Sequence, residues 1–94
     1  MKPRKARLVT AGLERKGFVK SSSDHDYWTL HIHGHKTSIR AKISHGETEC
    51  DSFVLGEIAK ALKLSSSDLG RLLDCPLSYD AYVALLVQRG HVSA

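Results

Sequence analysis

YWTLHIHGHKTSIRAKI, residues 27–43, decides the fold. Trp28, Leu30 and Ile32 fall on one side of an alternating run. Tyr27, Thr29, His31 and His33 fall on the other. Period two with aromatic and β-branched residues predicts a half-buried strand. His33, Gly34 and His35 make a tight connection. The next run then alternates again, with Ile39, Ala41 and Ile43 inward and Lys36, Ser38, Arg40 and Lys42 outward. The result is an antiparallel hairpin with one apolar face, which helices must cover, and one polar, basic and aromatic face.

On the N-terminal side, Phe18 and Val19 begin a short extended piece, and Ser21 to Asp24 form a polar turn. Before them, Val9, Gly12 and Leu13 share a helical face flanked by Ala6 and Leu8. Pro3 suits the first turn of that helix and Gly17 its stop, so a helix is expected over about residues 3–16. On the C-terminal side, residues 44–50 read as a loop. Asp51 or Ser52 caps a helix in which Val54, Leu55, Ile58, Ala61 and Leu62 repeat, through about residue 63. Ser65 and Asp68 open a further helix carrying Leu69, Leu72 and Leu73, which Pro76 ends. Ser78 caps the last helix, with Asp80 in its first turn and Leu77 stapled to Tyr82. Tyr82, Leu85 and Leu86 form its buried stripe, and Gly90 closes it. The expected order is α-β-β-β-α-α-α, an α+β fold built on a three-stranded antiparallel sheet.

The 94 residues suffice for one domain, and 41% hydrophobic content suffices for its core. No apolar run approaches the roughly 18–20 residues of a membrane span. The N-terminal MKPRKARLV is not followed by an apolar segment, so no signal peptide is read and a cytoplasmic location is expected. Cys50 and Cys75 make neither a zinc site nor a disulfide framework; they read as small, at least half-buried side chains. Charge is uneven along the chain. Residues 1–46 carry ten Lys/Arg against three Asp/Glu, a net +7, and residues 47–94 four against seven, a net −3. A basic half against an acidic one suggests a polyanion-binding face; solvated lysines on a basic protein are the plainer account.

Three candidate sites follow. On the open sheet face, Lys36, Arg40 and Lys42 suit phosphates, and Tyr27 suits stacking on an unpaired base. In SSSDHDYW, His25 follows a polar turn at a strand entrance, where an imidazole titrating near neutral pH suits general acid or base chemistry. Asp24 and Asp26 flank it, and a nearby carboxylate favours the charged ring. Finally, His31, His33 and His35, with His45 beyond, have spacing that suits a transition metal. No sequence-near Cys or acid completes the set, so surface histidines are the better reading and no metal or other cofactor is expected. Phosphate-loop, dinucleotide-fold, zinc-protease, deaminase and nucleophile-elbow motifs are absent.

ERKGFVK (residues 14–20), SDHDYWTL (23–30), KTSIRAKISHG (36–46) and DSFVLGEIAKALKL (51–64) together resemble the HicA (YcfA-like) toxin family. The resemblance spans about residues 5–64. It implies a double-stranded-RNA-binding-domain-like α-β-β-β-α core over residues 1–64. Residues 65–94 exceed the usual compact toxin and are expected to be a helical extension packed on the same domain. It also implies a metal-independent mRNA endonuclease in which His25 is catalytic, with a HicB-like antitoxin protein as partner. Lys36, Arg40 and Lys42 would then bind the RNA backbone and Tyr27 a base. Asp24 departs from the family, many of whose members have glycine and serine before the histidine. Two other readings of the same residues stand beside this one: a non-catalytic RNA-binding module, and a protein-interaction domain docking through its C-terminal helices.

Overall fold

The computed structural model describes residues 2–44, 46, 48–74 and 76–92. His45 and Cys75 lie outside the described residues. The chain is α+β. Its element order is β1 (Arg4–Lys5), α1 (Ala6–Arg15), β2 (Phe18–Ser22), β3 (Asp26–Ile32), β4 (His35–Lys42), β5 (Glu49–Cys50), α2 (Ser52–Ala61), α3 (Ser66–Leu73) and α4 (Tyr79–Gln88). Strands β2, β3 and β4 form the antiparallel sheet, in that spatial order. No helix among the described residues is long and apolar enough to cross a membrane.

The alternation of residues 27–43 sets the layers. Trp28, Leu30, Ile39, Ala41 and Ile43 are buried on the helix side, while Lys36, Ser38, Arg40 and Lys42 are exposed. The hairpin between them turns on His33 (φ 53°) and Gly34 (φ 76°). Two consecutive left-handed residues give the turn that matches strand twist. His33 therefore sits at the turn and not on the strand face beside His31.

α1 packs on β2 and β3, α2 packs on β4, and α3 lies against both helices. Leu69, Leu72 and Leu73 of α3 and Tyr82 and Leu86 of α4 belong to the same buried cluster as the sheet residues. The Tyr82 ring stacks on Phe18 at 6.1 Å, and its hydroxyl donates to the Leu62 carbonyl at 2.8 Å. Burial raises its phenol above the usual range. All three later helices are capped as their sequences indicate, by Asp51, Ser65 and Ser78.

The start of the chain differs from expectation. Arg4 and Lys5 are extended and pair with Cys50 and Glu49, and the Ala6 amide donates to the Thr48 carbonyl at 3.0 Å. Pro3 therefore precedes a two-residue strand and is not in the helix. A partner some 45 positions away supplies that constraint, and helical periodicity carries no trace of it. Ser21 and Ser22 likewise extend β2 by pairing with Tyr27 and Asp26, which shortens the turn to Ser23–His25.

Two helix ends use the same cap with different residues. After α4, the amides of Gly90 and His91 donate to Val87 and Leu86, with Gly90 at φ 77°. After α2, the amides of Lys63 and Leu64 donate to Lys60 and Ala59, with Lys63 at φ 63°. A side chain strains that left-handed position, which glycine adopts without cost. Gly17 ends α1 at φ 84°, and a Cβ there would strike the Tyr79 ring. Lys63→Gly is expected to raise unfolding stability by about 0.5–1 kcal/mol, and Gly17→Ala to lower it by at least about 2 kcal/mol. Urea unfolding of both variants checks the opposite signs.

Candidate nucleic-acid interface

Two groups of cations in the basic N-terminal half do different work. One group holds the end of α3. Lys16 is only 8% exposed, and its Nζ donates to the carbonyls of Leu72 at 2.6 Å and Leu77 at 2.9 Å. Arg15 donates to the Leu73 carbonyl at 3.2 Å. Arg4 donates from two nitrogens to the two carboxylate oxygens of Asp74, at 2.6 and 2.8 Å. A helix C-terminus presents unsatisfied carbonyls and partial negative charge, and three cations answer it. The paired hydrogen bonds hold Asp74 below the usual carboxylate range and raise Arg4. Their contribution is present at neutral pH and lost as falling pH protonates Asp74. At this exposure it is worth about 1 kcal/mol or less.

The other group faces solvent across the sheet. Strand register arranges the outer face in rows. Ser21, Tyr27 and Lys42 form one row, and Val19, Thr29 and Arg40 the next. His31 with Lys36 forms the third, with the His31 amide donating to the Gly17 carbonyl. Lys36, Arg40 and Lys42 are all exposed. Arg40 reaches diagonally over the Tyr27 ring, with its guanidinium carbon 4.2 Å from the centroid, a cation–π contact. One face of Tyr27 is therefore occupied, and any stacked base must use its other face or the Arg40 plane.

His25 is exposed at the end of the Ser23–His25 turn, which the Ser23 amide closes onto the His25 carbonyl at 3.1 Å. Its ring meets Tyr27 edge-on, with centroids 6.4 Å apart and planes at 85°. Tyr27 thus stands between His25 and Arg40, which brings the candidate acid–base group and the candidate phosphate ligands onto one face. Asp26 accepts from the Ser22 hydroxyl at 2.9 Å and lies 4.0 Å from the Lys20 ammonium. Among the described residues no group of three or more His, Cys, Asp or Glu is arranged to hold a metal ion.

The sequence pattern did not reveal an irregularity in β4. β3 advances two residues from Thr29 to His31, while β4 covers four from Arg40 to Lys36. The surplus creates a concavity of about 260 Å³ lined by Ser21, Thr29, Lys36, Thr37, Ser38 and Arg40. Regular alternation would have placed Thr37 inward, and nothing in the local pattern signals the slip. No family model matches the chain, and no curated protein or solved structure matches it either.

The division of cations is testable by stability alone. Lys16→Met is expected to cost about 3 kcal/mol, because it strips two carbonyls of a charged donor. Lys42→Gln is expected to stay within about 0.5 kcal/mol of the parent. Equal losses in denaturant unfolding would contradict the division.

Proposed function

We propose that the chain is a HicA-like endoribonuclease of double-stranded-RNA-binding-domain-like fold, cleaving mRNA without a metal and held in check by a HicB-like antitoxin. The single observation that carries the reading is the contact of exposed His25 and exposed Arg40 with the half-buried Tyr27 ring on one sheet face, beside exposed Lys36 and Lys42. Single-stranded RNA offers the chemistry that such a face recognises: phosphates at regular spacing, bases that stack, and a 2′-hydroxyl that DNA lacks.

The reaction follows from one imidazole and several cations. Neutral His25 takes the proton of a 2′-hydroxyl as general base. The 2′-oxygen attacks the adjacent phosphorus, the bond from phosphorus to the 5′-oxygen breaks, and the leaving oxygen takes a proton from water. The products are a 2′,3′-cyclic phosphate and a 5′-hydroxyl. Lys36, Arg40 and Lys42 hold the phosphate chain and stabilise the charge that develops on its oxygens.

Purified protein incubated with labelled single-stranded RNA tests this. His25→Ala is expected to lower cleavage at least a hundredfold while preserving fold and RNA affinity. Chelator is expected to have no effect, and a 2′-deoxy substitution at the cut site to block cleavage. Equal cutting by mutant and parent contradicts the role of His25. Binding without any cut product leaves the non-catalytic RNA-binding module in its place. Phosphate contacts also fix the salt dependence: with three cations engaged, log K is expected to fall with log salt at a slope of about −2, and each Gln substitution to reduce that slope by about 0.7. Affinity insensitive to salt would favour a protein-interaction domain.

A further inference from the structure

The irregularity in β4 is locked, and it frames a site. Thr37 donates its hydroxyl proton to the Leu30 carbonyl at 2.7 Å and accepts from the Ile39 amide at 3.2 Å. The first bond ties the surplus segment to β3 where the regular ladder is interrupted, and the second closes the segment on β4 itself. The concavity beside it is lined by four hydroxyl-bearing residues, Ser21, Thr29, Thr37 and Ser38, and by two cations, Lys36 and Arg40, and among the described residues no acidic side chain lines it. Thr29 is 3% exposed although it lies on the polar face, so it forms the floor.

We infer that this concavity is a phosphate subsite, taking the tetrahedral oxyanion of a phosphate ester. Two cations match the charge, and hydroxyl-bearing residues on three strands, Ser21 of β2, Thr29 of β3 and Ser38 of β4, supply further donors for the several oxygens of a phosphate. Arg40 serves both the subsite and the ring. Its guanidinium carbon lies over the Tyr27 ring, 4.2 Å from the centroid, and its fork of N–H donors supplies the hydrogen bonds that a phosphate oxygen accepts. That an RNA chain supplies the phosphate rests on the function proposed above. The subsite then holds a phosphate on the far side of Tyr27 from His25, and it sets the distance between anchor and cut. The oxyanion chemistry itself does not depend on RNA.

The test is an NMR titration of the ¹⁵N-labelled full chain with inorganic phosphate, and separately with a short single-stranded RNA on the His25→Ala background. Phosphate is expected to shift the amides of Thr29, Thr37 and Ser38 more than those of Leu55 to Ala59 on α2. Thr37→Val keeps the shape and charge but unlocks the segment, and is expected to weaken phosphate at least tenfold, about 1.4 kcal/mol. Should that variant lose its fold, the double change Lys36→Gln with Arg40→Gln carries the test, and it is expected to abolish the shifts. Phosphate shifts at the subsite without RNA binding would uphold the subsite and overturn the RNA reading. RNA shifts at Tyr27 and Lys42, with Thr29 and Ser38 unmoved by either ligand, would overturn the subsite and leave the RNA reading standing. Phosphate shifts no larger at the subsite than on α2 overturn it in every case.

Discussion

A lysine ammonium inside the protein decides what the surface can do. Lys16 reaches from the end of α1 to the carbonyls of Leu72 and Leu77, at the end of α3 and just beyond it. A charge so buried is tolerated only because it is hydrogen-bonded where backbone oxygens converge. With Arg15 and Arg4 it fixes α3 behind the sheet, against α1 and α2. Gly17, directly after Lys16, admits the Tyr79 ring, whose hydroxyl donates to the His31 carbonyl at 2.9 Å and draws α4 to the same side. Helices that close on the back of the sheet leave its front bare. The exposed cationic face is in that sense a consequence of the buried clamp.

The front face is ordered as well as charged. Cross-strand register places Tyr27 beside Lys42 and Thr29 beside Arg40, and the diagonal reach of Arg40 links the two rows. Diagonal neighbours on a sheet lie within range of long side chains, and the guanidinium gains a flat partner that limits its wandering. A pre-ordered arginine loses less freedom on meeting a phosphate than a freely rotating one. His25 stands at the end of the same face, in a turn that leaves its ring in water.

Residues 27–43 made the hairpin and its two faces legible, because alternation of Trp28, Leu30, Ile39 and Ala41 with polar neighbours has one meaning in a half-buried strand. Capping by Asp51, Ser65 and Ser78 was legible for the same reason: the signal is local. What escaped was set by distant partners. Arg4 and Lys5 become a strand only because Glu49 and Cys50 lie alongside. Arg4, Arg15 and Lys16 counted toward a polyanion-binding half, yet their carbonyl and carboxylate partners lie some 56–70 residues away. Of the site residues, Tyr27, Lys36, Arg40 and Lys42 were readable as one polar sheet face, and His25 as a separate position at a strand entrance. The Thr37-locked concavity was not, since a register slip leaves the composition of a strand unchanged.

Whether RNA touches the chain, and where, is the most direct question to put to the proposed function. Ultraviolet cross-linking of single-stranded RNA to the full chain, with the adducts located by peptide mass spectrometry, answers it. The account predicts adducts on the β3–β4 hairpin, centred on Tyr27. Adducts confined to the helical side, at the 74%-exposed Phe53 of α2 or along α4, would contradict it.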